Sequence, residues 1–278
     1  MAQIQPAPHK VDKYDILNPL QRSEHRIVVE DSPRRVRCIF NGEVIAASQR
    51  MKLMHETRHL PVYYFPLEDV RHEFLERTDH STHCPHKGDA SYWSIRVGDK
   101  VAENAMWSYE YPIDKVSNIR GLAAFYWNKL DHWYEENEEI FVHARDPYKR
   151  IDTILSARHV QIELDGEIVA DTQRAYCLFE TGLPTRYYIP PEDVRTDLLR
   201  PSDLLTACPY KGVANYYSAA IGGASYDNIV WTYREPVSDC PKIKNLLCFY
   251  NENVDRIVVD GEPEEKPMTK WSVPGASR

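Results

Sequence analysis

A chain of 278 residues with 42% hydrophobic and 27% charged side chains has the balance of a folded globular protein, with room for two domains and a core in each. Its 34 basic residues against 42 acidic ones leave a formal charge of -8, which argues against a nucleic-acid binder, because a phosphate backbone calls for a basic face. The longest apolar runs, such as LAAFYW at 122–127, cannot span a bilayer, and the opening MAQIQPAPHK lacks the apolar centre of a signal peptide, so a cytoplasmic protein with no membrane partner is expected.

Residues 1–34 carry Pro6, Pro8, Pro19 and Pro33 among scattered charges and read as an N-terminal arm. From Val36 the apolar residues alternate around Asn41-Gly42, a hairpin signal that turns Val36, Cys38, Phe40 and Ile45 toward a core. A further strand is predicted around Arg50 to His55, followed by a β-rich stretch through Tyr63, Tyr64 and Phe65. Pro66 then sits in a first turn ahead of Glu68 and Asp69, with Val70, Phe74 and Leu75 at helical spacing, and these predict a helix of about two turns. Cys84-Pro85-His86-Lys87-Gly88 is a turn bracketed by Pro and Gly, and three more strands follow at Tyr92–Val97, Ala105–Tyr111 and Leu122–Trp127.

The passage from Arg50 to Ser94 recurs from Arg174 to Ser218, an offset of 124 (174 minus 50) that needs no correction within it. Glu56 falls on Glu180, Tyr63-Tyr64 on Tyr187-Tyr188, Cys84-Pro85 on Cys208-Pro209 and Lys87-Gly88 on Lys211-Gly212. The upstream hairpin recurs around Asp165-Gly166, with Val160, Ile162, Leu164 and Val169 on the core face, and Trp107 recurs as Trp231. Two copies are too few for a solenoid. The expected fold class is therefore mainly β, a tandem duplication of two compact antiparallel β-rich domains, each with one short helix. The expected layout is a first repeat at 35–134, an ordered single-copy linker at 135–158, a second repeat at 159–260 and a polar tail at 261–278, the repeats packing on each other as a pseudo-dimer. With Cys84 and Cys208 as repeat equivalents, the six cysteines read as free thiols.

These motifs, NGEVIA, YYFP-x-EDVR, T-x-C-P-x-KG-x-A-x-Y and N-x-x-W-x-Y-x-x-P, resemble the domain-of-unknown-function family 427 in a two-domain form. The family is sometimes catalogued as nucleotidyltransferase-like, and the resemblance implies a compact β-rich fold. The first copy departs from the second at His86, where Tyr210 stands, and at Arg58-His59, where Gly182-Leu183 stand.

Glu56, Lys87, Glu180 and Lys211 are the candidate catalytic residues: a lysine in a constrained turn can clamp an anion or act as a nucleophile, and a buried carboxylate can move a proton. The bland reading is a solvated turn lysine that carries little packing, and for Glu56 and Glu180 an ion pair with Arg50 and Arg174, six residues earlier on the same face. Arg50, Tyr63, Tyr64 and Trp107, with Arg174, Tyr187, Tyr188 and Trp231, are the candidate ligand-binding residues. One tyrosine of each pair is expected in the core and the other on a pocket wall with the tryptophan, although a tight aromatic core is the commoner use.

His80, His83, Cys84 and His86 have metal-ligand character, but their twins Leu204, Ala207, Cys208 and Tyr210 do not, so no metal is expected, and no cofactor follows from the sequence. P-loop, dinucleotide and hydrolase-elbow motifs are absent. In the linker, His143, Arg145, Asp146, Tyr148 and Arg150 are candidate interdomain residues, as a clasp of ion pairs or a shared cleft. The functional expectation is a small-molecule-binding protein, either an enzyme acting on a small anionic or nucleotide-like metabolite or a non-catalytic ligand-binding or structural duplicated domain.

Overall fold

The computed structural model describes residues 25–269 and 271–272, and the arm expected over residues 1–24 lies outside them. The chain divides into two compact units between Asp146 and Pro147. The first contains β1 (Ile27–Asp31), β2 (Val36–Phe40), β3 (Glu43–Ser48), β4 (Lys52–Glu56), β5 (Val62–Pro66), β6 (Leu75–Cys84), β7 (Gly88–Val97), β8 (Lys100–Ser108), β9 (Leu122–Phe125), β10 (His132–Glu135) and β11 (Glu138–Ile140). The second contains β12 (Ile151–Leu155), β13 (Val160–Leu164), β14 (Glu167–Thr172), β15 (Tyr176–Glu180), β16 (Arg186–Ile189), β17 (Leu199–Cys208), β18 (Gly212–Ile221), β19 (Ala224–Pro236), β20 (Leu247–Phe249), β21 (Arg256–Val259) and β22 (Glu262–Pro263). Each strand of the second unit starts within one residue of its counterpart's start plus 124.

In the first unit a seven-stranded sheet runs β1-β4-β5-β9-β8-β7-β6 and a four-stranded sheet runs β11-β10-β2-β3. The second unit repeats both, as β12-β15-β16-β20-β19-β18-β17 and β14-β13-β21-β22. The mainly β duplicated architecture is thus the observed one. The hairpin turns sit where the sequence put them, with Asn41 and Gly42 at φ 47° and 80° and Asp165 and Gly166 at 53° and 74°, the left-handed pair a tight two-residue hairpin needs. Val36, Cys38, Phe40 and Ile45 are buried with β4, β5 and β7 to β9 residues in one core, and Val160, Ile162, Leu164 and Val169 in its twin. A second core lies on the other face of each large sheet, around Tyr64, Tyr92 and Tyr109 in the first unit and Tyr188, Tyr216 and Tyr233 in the second. Adjacent strand residues face opposite ways, so Tyr63 and Tyr64 divide between the two cores, and both are buried.

Three expectations need correction. The two-turn helix from Pro66 is instead a pair of single 3-10 turns, Leu67–Asp69 and His72–Phe74. Between them Val70 bridges Ala46 and the Arg71 amide donates to Ile45 O at 2.9 Å, so pairing with β3 breaks the helix into two. The segment Leu75–Cys84 is a ten-residue strand that had no apolar alternation to announce it, because β6 is an edge strand exposed along most of its length.

The third correction concerns domain limits. The stretch expected to be a single-copy linker has a twin: β12 pairs antiparallel with β15, Ile151 opposite Glu180, as β1 pairs with β4, Ile27 opposite Glu56. β11 closes the small sheet of the first unit on β10, so residues 135–158 are shared out between the two folds. The tail likewise starts in the fold, since β22 pairs with β21 and the Thr269 hydroxyl donates to Glu252 at 2.5 Å.

Candidate functional site

The Cys-Pro-x-Lys-Gly turn is fastened from both sides. The Lys87 amide donates to Cys84 O at 3.2 Å and the Lys87 carbonyl accepts from the Ile113 amide at 3.1 Å; Lys211 repeats this with Cys208 (3.4 Å) and Val237 (3.1 Å). The glycine that follows has no substitute. Gly88 and Gly212 lie at φ +99° and +102°, and an added Cβ would stand 3.3 Å from Tyr111 O or 3.1 Å from Glu235 O. A turn held this firmly aims its lysine inward.

Each lysine meets the glutamate that ends the strand beside the sheet edge. Lys87 Nζ donates to Glu56 Oε2, and Lys211 Nζ donates to Glu180 Oε2 at 2.5 Å. The ammonium groups are nearly buried, with side chains 10% and 12% exposed, which overturns the picture of a solvated turn lysine. The structure also overturns the Glu–Arg pairing. Arg50 precedes β4 and forks onto Glu68 and Asp69, and Arg174 forks onto Asp193 at 2.9 and 2.9 Å, where each arginine pins the 3-10 turn after β5 or β16.

A third group completes each cluster and was missed from the sequence. His25 Nε2 lies 3.1 Å from Glu56 Oε1, and Lys149 Nζ lies 3.1 Å from Glu180 Oε1. Both enter on the residue two before the edge strand, β1 or β12, whose backbone is fixed by paired bonds between Arg26 and Thr57 and between Arg150 and Thr181. The signal was the dipeptide Arg26-Ile27, which recurs as Arg150-Ile151 at the same offset. The third group is covered differently in the two units: His25 stacks on His86 with centroids 3.6 Å apart, and Lys149 lies over the Tyr210 ring at 5.7 Å. The departure of His86 from Tyr210 is therefore matched by the departure of His25 from Lys149.

The charges follow from these contacts. Burial works to raise the Glu180 carboxyl, but Lys211 and Lys149 together outweigh it and hold it below the usual carboxylate range. Glu56 is likewise held low, burial being outweighed by Lys87 with help from His59 and His25. Burial disfavours the Lys211 ammonium, yet Glu180 wins and its pKa is raised. Glu56, Glu180 and Lys211 are therefore ionised at neutral pH. Among the described residues Glu180 is the one side-chain acceptor that Lys211 Nζ meets, which leaves donor capacity on an ammonium with three hydrogens.

The aromatic candidates come together, but in a packed core. Trp107 Nε1 donates to the Tyr64 hydroxyl at 3.3 Å with the rings edge to face at 86°, and Trp231 donates to Tyr188 at 3.1 Å with the rings at 85°. Tyr63 and Tyr187 turn the other way; the Tyr63 hydroxyl donates to buried Glu135, and the Tyr187 hydroxyl to Glu264 at 2.6 Å. The second unit adds a buried arginine that sequence reasoning did not single out. Arg186 holds Glu252 through two bonds of 2.6 Å between the rings of Trp231 and Trp271.

The candidate metal ligands are dispersed. His83 Nδ1 lies 2.6 Å from Asp89, His80 rests against Tyr92 and His86 is stacked on His25, and no group of three metal-ligating side chains converges among the described residues. Arg145 binds Glu135 at 2.9 Å within the first unit, Arg150 binds Asp152 at 2.7 Å within the second, His143 Nδ1 lies 2.6 Å from Ala144 O, and Tyr148 is largely exposed next to Pro147, where with Asp146 the units divide.

No helix among the described residues is long and apolar enough to cross a membrane. A family model described as a domain of unknown function, DUF427, matches the chain twice, over residues 28–136 and 152–260. No curated protein matches it.

Proposed function

We propose that this chain, which belongs to the DUF427 family, is a small-molecule-binding protein whose domains each present a carboxylate–ammonium cluster to a small anionic or nucleotide-like metabolite. The observation that carries the reading is the second cluster, where one carboxylate lies between two lysines, Lys149 and Lys211, and leaves a net positive charge. Lys149, 26% exposed, is the outer member, and Lys211 behind it retains donors for a ligand oxygen. In the first cluster an imidazole takes the place of that second ammonium, so the two domains differ in their pull on an anion.

The charge states favour recognition over proton transfer. A general acid wants a raised carboxyl and an amine nucleophile a lowered ammonium, and Glu180 and Lys211 are shifted the opposite ways. Nucleotidyl transfer through magnesium would need free carboxylates. Glu56 is taken by Lys87 and His25, and Asp69 by Arg50 and Ser48, so that donor set does not fit the ion. A structural reading draws on one observation of its own: both oxygens of Glu56 and of Glu180 are already occupied, which suffices for a buried brace. Calorimetry with small carboxylates and phosphates on the full chain separates the two, since a brace gives no saturable heat and a binding site gives heat that falls on Lys149→Gln.

A further inference from the structure

On the face of the second unit's large sheet that also packs against the small sheet lies a depression of about 410 Å³, walled by Tyr217, Leu199 and Leu247 and bordered by Thr232, Arg234 and Lys244. That volume falls in the range of small-molecule sites. The matching face of the first unit carries an ion-paired fork instead. There Arg77 crosses the face of Trp93 at 5.3 Å and grips Glu110 with bonds of 3.1 and 2.6 Å, while Ser91 adds a third bond to Glu110 at 2.7 Å. At the offset of 124, Arg77 becomes Pro201, Trp93 becomes Tyr217, and Glu110 becomes Arg234. The covering arginine is gone and the acid it held has become a base.

Two residues that line the depression have polar groups without a hydrogen-bond or ion-pair partner among the described residues. The Ser108 hydroxyl donates to Leu122 O at 2.6 Å, but its twin Thr232, 3% exposed, is one of two residues with a buried side-chain polar atom lacking a hydrogen bond among the described residues. A buried hydroxyl left unsatisfied is costly unless something else meets it. Arg234 is exposed and has no ion pair among the described residues, and Lys244 pairs with Glu235, also a lining residue, 3.1 Å from each carboxylate oxygen, a pairing that a bound anion would have to displace.

We infer that this depression is a second binding site, separate from the lysine cluster, for a small organic anion whose phosphate or carboxylate is taken by Arg234 and Lys244 and whose body lies against Tyr217, Leu199 and Leu247. A guanidinium offers the paired donors such a group accepts. It is a site of the second domain alone, because the first rebuilds the same surface as the Arg77–Glu110 fork.

The test uses the full chain carrying Lys149→Gln, so that the lysine cluster does not contribute, with phenyl phosphate as probe and inorganic phosphate and benzoate as comparators. Saturable calorimetric binding of phenyl phosphate is expected, weakened at least tenfold by Arg234→Glu and abolished by Pro201→Arg with Arg234→Glu, which restores the first domain's fork. Phenyl phosphate binding tighter than both comparators marks the apolar wall as part of the site. Absence of saturable binding, or equal affinity in the parent and in Arg234→Glu, would overturn the inference whatever the lysine cluster does.

Discussion

Lys149 stands 3.1 Å from Glu180, the same separation as His25 from Glu56, and the two residues are themselves 124 positions apart (149 minus 25). The duplication has thus kept a third partner on each glutamate while changing its chemistry from imidazole to ammonium. With it changed the residue above, from the stacked His86 ring to the Tyr210 face that suits an ammonium.

The first consequence is a difference between the glutamates. Glu180→Gln strands two lysines that share one acid, whereas Glu56→Gln strands one lysine and an imidazole. Breaking one side of a buried pair costs about 3–5 kcal/mol. We expect Glu180→Gln to lie in that range and Glu56→Gln below it, measured by urea denaturation of the full chain. Equal losses would mean that the third partners carry no energetic weight.

Lys211→Met is expected to destabilise by roughly 2–4 kcal/mol, below the full cost of an orphaned buried charge because Lys149 still faces Glu180. A melting temperature unchanged on this substitution would restore the solvated-turn picture that the burial of Lys211 contradicts.

The pH dependence has a definite sign. Glu180 and Glu252 have lowered folded-state pKa values, burial being outweighed by Lys211 and Lys149 in one case and by Arg186 in the other. Their stabilisation is complete above the unfolded carboxyl value of about 4.3 and is lost as pH falls through the lower folded values. Lys211 is raised, so its share is complete below the unfolded value of about 10.4 and is lost as pH rises through the folded value. Denaturation free energy plotted against pH should fall on both sides, and Glu180→Gln should flatten the acid limb. An acid limb unchanged in that variant would count against the assignment.

Arg186 and Glu252 form the second unit's other buried pair, and their first-unit twins are Val62 and Asn128. Glu252→Gln alone is expected to cost about 3–5 kcal/mol, and the double change Arg186→Val with Glu252→Asn, which copies the first unit, to cost less than Glu252→Gln. Circular dichroism melts of the single and double variants check the order.

The sequence was most legible where backbone demands and side-chain burial agree. Asn41-Gly42 and Asp165-Gly166 announced their hairpins, and unbroken offset matching located the lysine turn and its glutamate. Legibility failed where partners lie far apart in the chain. Alternation placed Arg50 and Glu56 on one face, yet Arg50 lies outside β4 and finds Asp69, while Glu56 finds Lys87, 31 residues on. The edge strands β1, β6, β12 and β17 lacked an apolar pattern because, among the described residues, one side of each meets no neighbouring strand. His25 and Lys149 were hidden for the same reason, since they ride on the residues before β1 and β12 and share no residue type.

Anion recognition by the second cluster is proposed to run through Lys149 in front of Lys211. The most direct measurement is isothermal calorimetry of the full chain against a panel of small phosphates and carboxylates, carried out in the Arg234→Glu background so that the depression beside Tyr217 is silent. The account expects one saturable site, weakened at least tenfold by Lys149→Gln and retained when Lys149 becomes Arg. No saturable binding by any panel member, or affinity unaltered by Lys149→Gln, would contradict it and leave the Glu–Lys clusters as structural braces.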